Sequence, residues 1–177
     1  MKLTGDVYMS AQIINHVVVP GTFDPVTFGH LDVIERARRL FPKVTVAVAA
    51  SQGKNGVGTA FSLDERVSMI VDALHAEGID DVDVKPFSGL LVSFCQQLDA
   101  RGVVKGLRAM TDFEYELQQA ALNTRLDSDI ESIFVMSASK YGYVSSSIVR
   151  ELASLGSDVS FLVPPNVQSC LLEHYGA

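Results

Sequence analysis

Two short stretches near the start of the chain carry residue types suited to holding an anion. Residues 20–25 read Pro-Gly-Thr-Phe-Asp-Pro directly after an apolar run, and residues 27–30 read Thr-Phe-Gly-His. The first has the glycine and prolines of a sharp change of direction, and the second reads as the opening turn of a helix. A helix start presents unpaired backbone N–H groups at the positive end of its dipole, which suits a phosphate. Gly29 permits close approach, and His30 adds a ring nitrogen. A lone histidine in such a place is most simply a helix cap; within the decapeptide from Gly21 to His30 it reads as a phosphate ligand.

Other segments add compatible groups. Ser145, Ser146 and Ser147 follow Val144 and place three hydroxyls beside a predicted helix start, one of them as an ordinary N-cap. Arg108 follows Gly106 at a strand end, where a guanidinium can clamp phosphate oxygens in two-pronged fashion; otherwise it is a surface-loop arginine. Lys54 lies in the glycine-rich stretch from Gly53 to Gly58, read as the one long flexible loop, where composition alone suggests a solvated lysine. Residues 113–116, Phe-Glu-Tyr-Glu, read as an amphipathic helix start with solvated acids. The chain offers no paired catalytic carboxylates, no Ser/His/Asp set and no Cys/His pair. Cys95 and Cys170 are too far apart, and too apolar in context, for a disulfide framework or metal spacing.

Elements must bring these segments together. Apolar, valine-rich runs predict strands at residues 13–19, 44–49, 82–84, 103–104 and 132–137. Helical spacing links Leu31, Ile34, Ala37 and Leu40, and again Val67, Ile70, Val71 and Leu74. Ser62 and Glu65 form a capping box; Thr111 or Asp112 can cap a helix through Phe113, Leu117, Ala120 and Leu122; Pro164-Pro165 opens a last helix with Val167, Leu171 and Leu172. Strands alternating with helices imply right-handed crossovers and a single doubly wound, parallel-sheet α/β domain of Rossmann-like type, expected over residues 13–177 with residues 1–12 as an extension. Ligands of such sheets bind at the carboxyl ends of the strands. The segments expected there are 20–30, 50–59, 86–91, 105–112 and 138–147.

Composition bounds the function. The 177 residues are 47% hydrophobic and 20% charged, with a net charge of −7. That balance fits one globular domain and argues against a nucleic-acid-coating surface, so any phosphate site needs local cations. No apolar run approaches the roughly 18 residues of a membrane span, and the opening residues lack a signal-peptide core. Cytoplasmic residence is the expectation.

Residues 21–30 resemble the phosphate-binding signature of the HxGH nucleotidyltransferase superfamily, with Thr27 in place of the first histidine. Within it, threonine there resembles the bacterial phosphopantetheine adenylyltransferase family. The resemblance continues through residues 104–108 (Val-Lys-Gly-Leu-Arg), 112–116 (Asp-Phe-Glu-Tyr-Glu) and 144–147 (Val-Ser-Ser-Ser), and covers essentially residues 17–172. It implies that Thr22 and Phe23 contact ATP, that Thr22 also reaches the substrate, and that His30 stabilises the transition state. It implies ATP contacts for Gly106, Leu107, Arg108, Glu116 and the run Tyr141, Gly142, Tyr143, Val144, Ser145, Ser146 and Ser147. It gives Lys54 and Lys105 to the phosphate of the pantetheine substrate and Leu91 to an apolar contact with it. Two positions depart from the pattern: Lys105 stands where many relatives have arginine, losing the planar fork, and Gly89 where others have an acid.

The implied reaction joins the adenylyl group of ATP to 4'-phosphopantetheine, giving 3'-dephospho-CoA and pyrophosphate, with Mg²⁺ as cofactor. The resemblance also implies a homohexamer and CoA as a feedback inhibitor. The attacking phosphate has a second pKa of about 6 and is already ionised near neutrality, which accounts for the missing general base. Two other readings stand beside this one: a relative acting on nicotinamide mononucleotide or a small alcohol phosphate, and a non-catalytic nucleotide sensor.

Overall fold

The computed structural model describes residues 13–50, 58–108 and 110–176. Five described strands, β1 (His16–Gly21), β2 (Lys43–Ala49), β3 (Asp83–Phe87), β4 (Gly102–Leu107) and β5 (Glu131–Met136), form one parallel sheet in the order β3-β2-β1-β4-β5. The helices are α1 (Phe28–Leu40), α2 (Leu63–Ala76), α3 (Leu91–Gln97), α4 (Met110–Leu126), α5 (Ser146–Ser154) and α6 (Pro165–Tyr175), with a 3₁₀ turn at Ser139–Tyr141. This is the expected doubly wound α/β fold.

Strand order reverses between β1 and β4, and there the sheet opens. β1 pairs with β2 along its whole length, from His16 opposite Lys43 to Gly21 opposite Val48. It pairs with β4 only at Val17 and Val18. Beyond Val18 the two strands part, and Pro20, which has no N–H to give to a ladder, lies past the last β4 pair. The result is a crevice at the carboxyl ends of the central strands, where such folds take their ligands.

Several boundaries move from their expected places. Residues 13–15 stay outside β1, and Ile13 is exposed, whereas Pro20 and Gly21 continue the strand because β2 pairs with them. β4 is longer than residues 103–104 and takes in Lys105 and Gly106, since β5 pairs along it through Leu107. β3 runs on to Phe87 as an edge strand, where Pro86 is tolerated. Thr111 and Asp112 lie inside α4 rather than capping it. The capping box of Ser62 and Glu65 and the proline start of α6 are present. The short helix α3 has no counterpart among the periodic patterns.

Alternation along the strands sends side chains to two cores. Val17, Val19, Val44, Val46, Val48 and Val104 join residues of α1, α2, α5 and α6 on one face. Val18, Ala47 and Val103 join Val92 and Cys95 of α3 on the other. Of the two cysteines, Cys95 is buried and unpaired, and Cys170 is also unpaired.

Gly106 is needed for close approach of β4 and α1. A Cβ built there lies 2.5 Å from Cγ2 of Val33, a stiff β-branched side chain. Gly106→Ala is expected to cost about 1–3 kcal/mol by overpacking. Thermal denaturation reads this as a lower Tm, and an unchanged Tm would mean that α1 yields to the methyl group.

Candidate active site

The carboxyl ends of the strands border a cavity of about 660 Å³, within the usual range for small-molecule sites. Of the residues marked out by sequence, Thr22, Phe23, His30, Leu91, Lys105, Gly106, Arg108, Glu116, Val144, Ser145, Ser146 and Ser147 line it. Leu107 is buried in the core instead, and Tyr141, Gly142 and Tyr143 do not line the cavity. Lys54 and most of the glycine-rich stretch lie outside the described residues.

His30 is built into the first turn of α1 by a reciprocal cap. The Thr27 hydroxyl accepts the His30 backbone N–H at 3.4 Å, and His30 Nδ1 accepts the Thr27 N–H at 3.0 Å. A backbone N–H can only donate, so Nδ1 carries no proton and the neutral ring must hold its proton on Nε2. The cap role and the ligand role are therefore compatible: one nitrogen fixes the turn, and the other is left a donor. Phe23, with its ring edge-on to the imidazole at 5.0 Å, packs beside it. A Cβ on Gly21 would lie 2.8 Å from the Phe23 ring, which accounts for the glycine there. At Gly29 a Cβ would meet Tyr141 at an ordinary 3.5 Å, so packing within the protein does not demand glycine at that position.

Burial, followed by the nearby Arg108 cation, lowers the His30 pKa from 6.5 to about 4. The folded protein therefore resists a proton that the unfolded chain accepts, and stability rises with pH between those values. The contribution of neutral His30 is present above about 6.5 and is lost as pH falls toward about 4. His16, buried between Leu98 O and the Thr45 hydroxyl, has its pKa lowered chiefly by burial and acts in the same direction. Wild type should lose Tm from pH 7 to pH 4.5 more steeply than His30→Gln. Parallel Tm profiles would show that His30 is not held neutral.

The cations and hydroxyls are more committed than their residue types suggest. Lys105 Nζ pairs with Glu116 Oε2 at 2.5 Å, so the lysine and acid that the resemblance gives to different ligands meet each other across the cavity. Arg108 Nη1 donates to Val144 O at 2.8 Å and ties the end of β4 to the serine run. Ser145 caps α5 by accepting the Ile148 N–H, and keeps its own proton to donate. Ser146 spends its proton on Pro25 O at 2.8 Å. Of the three serines, Ser145 is the expected N-cap, and because Ser146 is spent on Pro25 O the hydroxyl donors narrow to Ser145 and Ser147 beside the amides of the first turn of α5.

Three charged residues missed by sequence organise the site. Asp24, almost wholly buried, accepts the N–H groups of Ala60 and Phe61, each at 3.0 Å, and pairs with Arg150 at 3.1 Å. Arg150 also donates to Asp24 O and lines the cavity. It lies three residues after Ser147, one turn along the same helix face, a spacing that could have marked it. Arg66 is fully buried and donates to Thr22 O, Ala49 O and Phe61 O.

Among the described residues no group of three His, Cys, Asp or Glu side chains is placed to hold a metal ion. The carboxylates of the cavity, Asp24 and Glu116, are both engaged by cations. The donor set therefore does not fit a metal held by protein side chains.

The fold and the cavity at its switch point are those of a nucleotide-binding α/β domain, and residues 18–152 match the cytidylyltransferase-like family, which places the chain among nucleotidyltransferases. The chain is 50% identical over 159 residues to the phosphopantetheine adenylyltransferase of Moorella thermoacetica, covering 90% of this chain and 96% of that protein. It is 43% identical over 159 residues to the enzyme of the same name from Desulfosudis oleivorans, covering 90% and 92%. The chain belongs to the phosphopantetheine adenylyltransferase family. Solved structures share its fold at lower identity. A provisionally assigned nicotinate-nucleotide adenylyltransferase of Vibrio parahaemolyticus superposes with a TM-score of 0.67 at 16% identity, over 90% of this chain and 99% of that one. A bifunctional NMN adenylyltransferase/ADP ribose pyrophosphatase of Francisella tularensis gives 0.62 at 18% identity, over 93% and 52%.

Proposed function

We propose that this chain transfers the adenylyl group of ATP to 4'-phosphopantetheine, giving 3'-dephospho-CoA and pyrophosphate in coenzyme A biosynthesis. The observation that carries the reading is the identity, 50% over nearly the full length, to a relative of that name. The cavity supports it chemically, because histidine, lysine, arginine and a helix start converge where strand order reverses. A substrate phosphate oxygen attacks the α-phosphorus, the bond to the bridging oxygen of pyrophosphate breaks, and the electron pair leaves with pyrophosphate. The nucleophile needs no base because its second pKa is about 6. What the site must supply is alignment and neutralisation of charge on the phosphoryl oxygens.

In this reading His30 donates its Nε2 proton to an oxygen at the α-phosphorus, supported by the fixed Nδ1 acceptor. Arg108, Arg150 and the α5 amides face the triphosphate, and Lys105 exchanges Glu116 for the incoming phosphate. Mg²⁺ would arrive on the ATP phosphates, since the cavity carboxylates are committed; no step is assigned to it. The exposed apolar residues Phe113, Leu117, Leu122 and Leu126 of α4, with Met136 of β5, support the proposed homohexamer as surface for a second copy. CoA as a feedback inhibitor would share the cavity with its precursor. Among the described residues no helix is long and apolar enough to cross a membrane; a cytoplasmic site of action is part of the proposal.

Pyrophosphate release from ATP, measured with phosphopantetheine and with nicotinamide mononucleotide as acceptors, tests the function. Turnover with phosphopantetheine is the expected result. Turnover only with the mononucleotide, or ATP binding without pyrophosphate release, would overturn it.

A further inference from the structure

Arg66 is the largest fully buried side chain among the described residues, and no carboxylate lies within ion-pair distance of it. Among the described residues its hydrogen-bond partners are three backbone carbonyls: Nη1 reaches Thr22 O at 2.6 Å and Ala49 O at 3.0 Å, and Nε reaches Phe61 O at 3.2 Å. Those oxygens belong to the turn after β1, the last residue of β2, and the residue before the cap of α2. A buried cation hydrogen-bonded to carbonyls alone, with the Asp24 charge acting on it only from beyond ion-pair distance, is expensive, and an apolar side chain of similar volume usually serves packing as well. Arg66 even stands in register with the apolar stripe of α2, where Met69, Ile70, Ala73 and Leu74 are buried.

The bond to Thr22 O has a consequence for the next amide. In a trans peptide the C=O and N–H point in opposite directions, and the Thr22–Phe23 bond is trans. With its carbonyl drawn toward Arg66, this peptide turns the Phe23 N–H away from the guanidinium, and no group among the described residues accepts it. Phe23 itself sits at φ 50°, a conformation that non-glycine residues keep only where the surroundings impose it. Both Thr22 and Phe23 line the cavity. We propose that Arg66 is a positioning residue for adenylyl transfer: by holding the Thr22 carbonyl, it keeps the Phe23 amide presented as a donor to the phosphates of the nucleotide. The proposal rests on the functional reading above.

Arg66→Lys tests it, because lysine keeps the charge but lacks the planar fork that reaches separate carbonyls with Nε and Nη1. With ATP and phosphopantetheine, kcat of Arg66→Lys is expected to fall at least tenfold while the KM for phosphopantetheine stays within about threefold, at a temperature where circular dichroism shows the variant folded. A kcat within twofold of wild type overturns the proposal. So does a deficit that disappears when the assay is cooled, since that would be loss of folded enzyme alone. Should Arg66→Lys fail to fold, ¹⁵N-labelled wild-type protein decides: ATP is expected to shift the Phe23 amide resonance strongly, and an unmoved amide overturns the proposal. Wild type that turns over another acceptor but not phosphopantetheine defeats the functional reading instead, and the same ratio of variants then tests Arg66 with that acceptor.

Discussion

His30→Ala is expected to lower kcat by roughly 10²- to 10³-fold, the usual loss on removing one preorganised donor to a developing oxyanion. The Kd for ATP should change by only a few-fold, because the contact strengthens in the transition state rather than on binding. The size of the effect follows from how tightly the ring is placed. Its Nδ1 is occupied by the Thr27 amide, its proton is confined to Nε2, and burial holds it neutral with a pKa of about 4. Alanine removes the donor and also one half of the reciprocal cap of α1, so stability is measured alongside. His30→Gln, whose side-chain amide is both donor and acceptor, should recover part of the rate. Single-turnover kinetics and equilibrium binding separate the two quantities. A kcat for His30→Ala within threefold of wild type would remove His30 from the chemistry and leave it as a cap.

Asp24→Ala should produce the largest loss of stability, up to about 3–5 kcal/mol, the range for removing the buried partner of an ion pair, here the carboxylate beneath a partly exposed arginine. The carboxylate serves three partners at once: the amides of Ala60 and Phe61, and the Arg150 guanidinium. Alanine would leave the buried Phe61 amide, the part-buried Ala60 amide and the Arg150 cation without their acceptor. Asp24→Asn keeps one acceptor oxygen and should cost distinctly less. Urea denaturation of both variants checks the order, and a loss below about 1 kcal/mol for Asp24→Ala would mean that water takes over the role of the carboxylate. Adding Arg150→Met to Asp24→Ala should cost less than the sum of the two single changes, because they break the same pair.

The strongly periodic and capped segments were the legible part of the fold. Valine-rich runs and the Ser62–Glu65 box announce β1, β2 and α2 because burial on both faces of a strand, and satisfaction of a helix end, each leave a local mark. Helical spacing puts Val67, Ile70, Val71 and Leu74 on one face of α2; Ile70 and Leu74 are buried and Val67 packs against the core, but Val71 is exposed, and Arg66 and Met69 complete the buried stripe. Hydrophobicity alone favoured valine over arginine. Nothing local says that three carbonyls converge on a guanidinium. On α4, the apolar residues Leu117 and Leu122 suggest a core face, yet they are exposed in the single chain.

The sequence by itself determined that a helix would start beside His30 after a sharp turn, a place suited to a phosphate, since a Gly- and Pro-marked turn followed by Thr-Phe-Gly-His is a local pattern with a local cause. It also carried the likeness that places the chain in its family. Only the tertiary structure decided which groups are available. Lys105 and Glu116 stand 11 positions apart and pair at 2.5 Å; Ser146 gives its proton to Pro25; Asp24 reaches across 126 positions to Arg150. These choices depend on β1 and β4 separating after Val18, which brings distant turns to one cavity. Hydrogen bonds and ion pairs act over about 3–4 Å, so whether a side chain is spent or available depends on neighbours in space that its sequence neighbours do not reveal.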